Sequence, residues 1–247
     1  MTMLSDLKVK IFADGADLKA IKTMYRNPWI RGFTTNPTLM RKSGVGEYKS
    51  FALQVLEAVP DRPVSLEVFA DEFDEMERQA REIASWGRHV YVKIPVTNTK
   101  GRFAGRLIGR LTNAGVKVNV TAVFTPEQIK AIVEHLADET PAIVSVFAGR
   151  IADTGVDPVP ILRESLKIMQ GKPRAELLWA SPREVLNIIQ ASEVGCHIIT
   201  ATHDILSKLS LLGKDHDAYS LETVEMFYKD AVAAGYTISH SRPAAGS

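Results

Sequence analysis

Short β-branched runs alternate with amphipathic helical patterns along nearly the whole chain, and no other feature of the sequence limits the fold as much. Strand and helix recur at intervals of about 20 to 35 residues without a break in composition, the pattern of a parallel sheet with helical crossovers. The first unit is a strand over Val9 to Ala13, an Asp14-Gly15 turn, and a helix with Leu18, Ile21, Met24 and Tyr25 on one face. The second strand runs from Gly32 to Thr35, is stopped by Asn36-Pro37, and leads through a glycine-containing loop to a helix over Tyr48 to Ala58. Val64 to Ala70 is the third strand, followed by a helix that Asp71 opens and that Phe73, Met76, Ala80 and Ile83 mark as amphipathic. Val90 to Val96 is the fourth, with a helix through Leu107, Ile108 and Leu111 that ends near Gly115. After a fifth strand over Val116 to Phe124, Thr125-Pro126-Glu127-Gln128 combines an N-cap, a proline at the first helical position and a capping-box glutamine. Strands six, seven and eight are Ala142 to Ala148, Leu177 to Ala180 and His197 to Ala201. Each is followed by an apolar helical face, and Ser181-Pro182 reads as the cap of the helix after strand seven.

Eight such units in 247 residues give the count and size of a closed (β/α)8 TIM barrel, an α/β fold. A doubly wound open sheet is the structural competitor, but no Gly-x-Gly-x-x-Gly follows any strand. One further amphipathic helix, Leu221 to Ala234, lies outside the count, and its apolar face must cover either the barrel or a neighbouring subunit. The expected organisation is a single domain over residues 1–238 with a loose tail over 239–247.

Lysine plus arginine (30) nearly balance aspartate plus glutamate (29), so no overall charge points to nucleic acid or an anionic membrane. Any anion binding must be local. The single cysteine, Cys196, precludes an intramolecular disulfide framework and sits among apolar neighbours, which suits a buried structural thiol and a cytoplasmic protein. The first residues lack the apolar core of a signal peptide, and no run approaches the roughly 18 apolar residues of a membrane span. None of the six histidines belongs to a recognisable metal-ligand cluster, so neither metal nor cofactor is expected.

The fourth strand carries a lysine at its centre, Val92-Lys93-Ile94. Lysine also blunts exposed sheet edges, so the strand alone leaves two readings open. A closed barrel has no edge, and alternation then decides the matter. With Val90, Val92 and Ile94 against the helices, Tyr91 and Lys93 face the interior; so do Ser65, Glu67 and Phe69 on strand three and Asn119 and Thr121 on strand five. An ammonium in a packed interior is costly unless paired or neutral, and a neutral lysine is a nucleophile. Barrel chemistry is built at the C-terminal ends of the strands, where Asp14, Asn36, Arg150, Ser181 and Arg183 are expected. Asp14 and Asn36 also suit plain turns, and Ser181 a plain helix cap. Gly149-Arg150 directly ends an apolar strand, and Ser181-Pro182-Arg183 at a helix start suits phosphate.

These residues resemble the transaldolase family, specifically its small transaldolase and fructose-6-phosphate aldolase group of class I, Schiff-base aldolases. The resemblance runs from about Lys10 to Leu212 and rests on Asp14, Thr34-Thr35-Asn36-Pro37-Thr38-Leu39, Leu66-Glu67-Val68, Val92-Lys93-Ile94-Pro95, Asn119-Val120-Thr121, Phe147-Ala148-Gly149-Arg150-Ile151 and Ala180-Ser181-Pro182-Arg183. Two positions depart from the common pattern: Thr38 stands where serine is common, and Gly15 where threonine is. The resemblance implies that Lys93 forms a Schiff base with a ketose phosphate, fructose 6-phosphate or sedoheptulose 7-phosphate in type. It further implies that Glu67 shuttles protons through a water that Thr121 helps hold, and that Asp14 takes the proton of the C4 hydroxyl. Thr35, Asn36, Asn119 and Phe147 would line the donor site, and Arg150, Ser181 and Arg183 would anchor its phosphate. A dihydroxyacetone unit passes to an aldose phosphate in such an enzyme, a step of pentose phosphate carbohydrate metabolism. The alternatives within the class are a fructose-6-phosphate aldolase and a transaldolase for a modified acidic sugar. In the aldolase branch the resemblance places glutamine at 67 and tyrosine at 147, so Glu67 and Phe147 favour transfer. Family members form rings of five and pairs of rings, which implies a homo-oligomer, pentameric or decameric.

Overall fold

The computed structural model describes residues 4–238; the tail over 239–247, expected to be loose, and the first three residues lie outside the described residues. Eight parallel strands close on themselves in sequence order: β1 (Lys10–Asp14), β2 (Ile30–Thr34), β3 (Val64–Glu67), β4 (Val90–Pro95), β5 (Val118–Val123), β6 (Ala142–Val146), β7 (Ala175–Trp179) and β8 (Ile198–Thr202). The (β/α)8 barrel read from the periodicity is therefore present, with helices on its outside and one more helix at the C-terminus.

Alternation sorts the strand residues into two environments. Val64, Leu66, Val92, Ile94, Val118, Val120, Val144 and Leu177 are buried between the strands and the helical layer. Phe12, Ile143, Leu178, Ala180 and Ile198 form a separate cluster inside the barrel. Phe12 faces Gly32 across the β1–β2 pair, and a Cβ at position 32 would come within 2.5 Å of the Phe12 ring. Glycine there gives the ring the centre of the barrel, and the resulting plug separates the two mouths.

Local signals held in some places and not others. Thr125 and Gln128 form the capping box, and Asp157 caps the helix Pro158–Met169. Glu72, not Asp71, occupies the N-cap position before Phe73–Ser85; Asp71 instead accepts the Thr99 amide and hydroxyl, both at 2.8 Å. A six-residue helix, Pro37–Lys42, follows β2 where a loop was expected, and Asn36 caps it by accepting the Leu39 amide. β3 ends at Glu67, so Phe69 does not face the interior: its ring is 53% exposed and packs edge-on against Tyr48. β6 ends at Val146, and a short helix, Ala148–Ala152, takes up residues read as strand end, so Arg150 lies on a helix. Ser181 is not a helix cap; the helix after β7 is Leu186–Val194.

The last helix, His216–Ala233, begins five residues before its expected start and has no buried residue. Leu221, Val224, Phe227 and Tyr228 on it are all more than 60% exposed. Cys196 is buried, and burial pushes its thiol up to about 12. Among the described residues no helix is long and apolar enough to cross a membrane.

Candidate active site

Above the Phe12 plug, strands β1 to β5 and β8 turn polar side chains inward at one level, because their registers bring every second residue to the same height. Lys93 lies opposite Glu67 on β3 and Asn119 on β5. Its Nζ donates to Glu67 Oε1 at 2.8 Å and to the Thr35 carbonyl at 2.5 Å. The side chains of Lys93 and Glu67 are 13% and 8% exposed, so this ion pair is largely withdrawn from water. Thr35, just past β2, donates its hydroxyl to Glu67 Oε2 at 2.9 Å, which leaves both carboxylate oxygens engaged. Tyr48 holds the same strand end by donating to the Glu67 carbonyl at 3.0 Å.

Asp14 ends β1 on the other side of the lysine. Its Oδ1 accepts the Thr34 hydroxyl at 2.7 Å and its Oδ2 the Asn36 amide at 3.3 Å. The Thr34 oxygen lies 2.6 Å from Thr200 Oγ1, and since its proton goes to Asp14, the proton in that contact comes from Thr200. Burial is the main influence on Asp14 and raises its pKa above the usual carboxylate value; Glu67 adds to the rise. The Lys93 charge opposes it most strongly, followed by the Thr34 and Asn36 hydrogen bonds. A carboxyl poised in this way can give and take a proton more readily than an ordinary surface aspartate.

Asn119, the β5 residue in register with Lys93, is almost wholly buried. Its amide donates to Ser65 Oγ at 3.1 Å, and its carbonyl accepts Ser145 Oγ at 2.7 Å, so one amide hydrogen remains for a ligand. Thr121 lies opposite Pro95 and is half-buried, and its hydroxyl has no partner among the described residues. A bulge follows at once, where the β5–β6 register slips between Val120 and Val123 and Ala122 takes a φ of 59°. Left-handed backbone at a residue with a Cβ costs about 1 to 3 kcal/mol and collects at functional sites.

The second such residue is Ser181, with a φ of 62°. It belongs to a tight crossing of chains. A Cβ at Gly149 would lie 1.5 Å from the Ser181 carbonyl oxygen, so only glycine lets the helix Ala148–Ala152 approach this turn. Arg183 donates from Nη1 to the Ser181 carbonyl and hydroxyl, both at 3.1 Å, and clasps Asp153 through Nε (2.8 Å) and Nη2. That clasp holds the Asp153 carboxyl below the usual range. Arg150 is exposed, stacks its guanidinium 5.7 Å from the Phe147 ring, and forms no salt bridge among the described residues. Phe147 itself lies against the interior cluster and 5.9 Å from the Phe124 ring. A cavity of about 260 Å3 joins Asp14 to Ser181 and Arg183, with Thr200 and Thr202 on its wall.

Lys93, Glu67 and Thr35 thus form one hydrogen-bonded group and Asp14, Thr34 and Asn36 a second that feels the Lys93 charge, while Arg150, Ser181 and Arg183 gather at the rim on the β6–β7 side. The sequence reading places Ser65 inward and Thr34 in the run Thr34 to Leu39, but names neither Thr200 nor Ser145. Alternation along Ile198-Ile199-Thr200 and Ile143-Val144-Ser145 would have turned Thr200 and Ser145 inward, so a signal for them existed. No sequence signal pairs Asp153 with Arg183. A lysine beside a carboxylate able to take its proton, facing a second carboxyl across a confined space, is an arrangement for nucleophilic catalysis with proton transfer.

Comparison with known proteins gives concordant findings. The family described as Transaldolase/Fructose-6-phosphate aldolase matches residues 11–240. A "Probable transaldolase" of Dehalococcoides mccartyi is 35% identical over 202 residues, covering 81% of this chain and 90% of that protein. A "Probable transaldolase 2" of Listeria monocytogenes is 33% identical over 204 residues, covering 81% and 88%. Among solved structures, 2,3-dimethylmalate lyase superposes with a TM-score of 0.55 at 13% identity, over 98% of this chain and 89% of that one, a likeness of fold alone.

Proposed function

We propose that this chain, which belongs to the transaldolase/fructose-6-phosphate aldolase family, is a transaldolase that moves a dihydroxyacetone unit from a ketose phosphate to an aldose phosphate through a Schiff base on Lys93. The observation that carries the proposal is the largely buried Lys93 amine, 2.8 Å from Glu67 inside a closed barrel. Lys93 gives a proton to Glu67 and attacks the donor C2 carbonyl. The carbinolamine loses water, Glu67 supplying the proton through a water that the unpartnered Thr121 hydroxyl helps hold, and an iminium remains. Asp14 takes the C4 hydroxyl proton as the C3–C4 bond breaks. The bonding electrons flow into the iminium, an aldose phosphate leaves, and the enamine stays on Lys93. C3 of the enamine then attacks a second aldehyde, Asp14 returns the proton to the new alkoxide, and water frees the product ketose.

Asn36 and the remaining amide hydrogen of Asn119 suit the donor hydroxyls. Arg150, with no carboxylate partner among the described residues, together with Ser181 and Arg183, suits the distal phosphate, whose binding fixes the reacting carbons in place. The apolar Phe147 ring favours transfer over cleavage, since a hydroxyl at that position would help deliver the proton that ends the enamine. Borohydride treatment with fructose 6-phosphate, followed by peptide mass analysis, tests the reading. A reduced adduct on Lys93 is expected; its absence with both that ketose and sedoheptulose 7-phosphate overturns the Schiff base. Comparing product formation with and without an acceptor aldehyde separates transfer from cleavage.

The assembly we propose is a homo-oligomer, pentameric or decameric, in which a second copy covers the wholly exposed face of His216–Ala233. A chain ending at Lys214 should then form particles of fewer protomers than the full chain, read as light-scattering mass divided by protomer mass, and an unchanged protomer number would refute this. The compartment we propose is the cytoplasm, supported by the single buried cysteine.

A further inference from the structure

We propose that the N-terminal mouth of the barrel, on the face opposite Lys93, is a second ligand site that takes a small phosphorylated anion. A cavity of about 460 Å3 opens there, larger than the one beside Asp14 and within the range of small-molecule sites. The plug of Phe12, Ile143, Leu178 and Ile198 separates it from Lys93. A ligand in one mouth therefore does not touch the other.

The charges around this cavity are not balanced. Four cations, Lys10, Arg31, Arg62 and Lys117, line it against two carboxylates, Asp61 and Glu176. Both carboxylates are already engaged, Glu176 by Lys10 and Asp61 by the Tyr25 hydroxyl at 2.8 Å. The other three cations form no salt bridge among the described residues. Arg62 lies over the Tyr25 ring, 4.4 Å from its centroid, and Lys117 donates to the Arg88 carbonyl at 2.8 Å. Arg31 is exposed and has no hydrogen-bond or ionic partner among the described residues.

Neutral donors add to the cations. His89 Nε2 accepts Arg88 Nε–H at 3.0 Å, which puts the ring proton on Nδ1, and Nδ1 has no partner among the described residues. Burial, reinforced by the Arg88 and Lys117 charges, holds His89 below the usual histidine range, consistent with a neutral donor at pH 7. The Tyr91 hydroxyl, aimed toward this mouth by the same alternation that turns Lys93 inward, also lacks a partner, and its burial keeps it protonated. The mouth thus collects unmatched donors and spare positive charge in a compact space. Guanidinium forks meet phosphate oxygens bidentately, and a cavity of this size admits a small molecule but not a polymer.

Pyrophosphate is the probe, and the readout is the Tyr91 resonance in fluorotyrosine-labelled full chain, assigned by Tyr91→Phe. A saturable shift is expected, with the dissociation constant raised at least tenfold in Arg31→Ala/Lys117→Ala and unchanged in Arg150→Ala. Arg31→Ala alone, at an exposed position, serves if the double variant fails to fold, with a severalfold rise expected. Parallel titrations with inorganic phosphate and ribose 5-phosphate tell a bare phosphate site from one that also holds an organic body. No shift with any of the three, a shift that survives loss of Arg31 and Lys117, or one abolished by Arg150→Ala would overturn the site. None of these readings depends on turnover at Lys93.

Discussion

Breaking the Lys93–Glu67 pair from one side should cost far more than removing it altogether. At 2.8 Å, two unit charges attract by about 6 kcal/mol for an effective dielectric near 20. Against this stands a desolvation penalty of several kcal/mol for each ion, so the pair as a whole adds little net stability. Lys93→Met leaves the Glu67 carboxylate, 8% exposed, with only the Thr35 hydroxyl for support. Glu67→Gln removes the countercharge and leaves the ammonium with neutral acceptors alone, the Thr35 carbonyl and the introduced amide oxygen. Each single change should therefore cost about 3 kcal/mol or more, the usual penalty for stranding one member of a buried pair. The double variant should lie within about 1 kcal/mol of the parent or above it, giving a coupling of about 5 kcal/mol or more. Urea unfolding at pH 7.5 and one fixed protomer concentration measures all four corners, since assembly adds a concentration-dependent contribution. Single costs that simply add to within about 0.5 kcal/mol would refute the picture of a desolvated, mutually dependent pair.

Three other outcomes follow from the geometry. Asp14 has its pKa raised in the fold chiefly by burial, so its ionisation opposes folding; the penalty is absent below the ordinary aspartate range and complete once pH exceeds the folded value. Asp14→Asn should abolish transfer while gaining thermal stability relative to the parent as pH rises from 3.5 to 7, and a gap that narrows over that range would contradict the assigned cause. Phe147→Tyr should raise release of free dihydroxyacetone relative to transfer severalfold, read from product ratios with an acceptor present, and unchanged partitioning would remove position 147 from the account. Gly149→Ala should cost about 3 kcal/mol by forcing the Ser181 turn away, whereas Gly171→Ala, where a Cβ meets nothing within 4 Å, should change stability by less than about 0.5 kcal/mol in the same denaturation assay.

The barrel was legible because its signals are short-range and repeated. Val90, Val92 and Ile94 on one side of β4 and Tyr91 and Lys93 on the other follow from the pleat alone, and the capping box at Thr125 and Gln128 is a four-residue affair. What failed were strand ends. Phe69 continues in sequence an alternation that β3 leaves at Glu67, and Arg150 follows an apolar run that gives way to a helix at Ala148. A chain leaving the sheet keeps its composition for a residue or two, so periodicity overshoots there.

The sequence by itself determined that eight strands would close, that Lys93 would face the interior, and that Glu67 and Asn119 would stand at its height, since pleat and register are properties of local pattern. Only the tertiary structure decided who holds whom. Thr200 backing Thr34 behind Asp14, Arg183 committed to Asp153 while Arg150 stays without a salt bridge, Gly149 beneath the Ser181 turn, and the spare cations at the opposite mouth all join residues from separate strand-helix units. Closure of the barrel sets those distances, and no run of neighbouring residues encodes them.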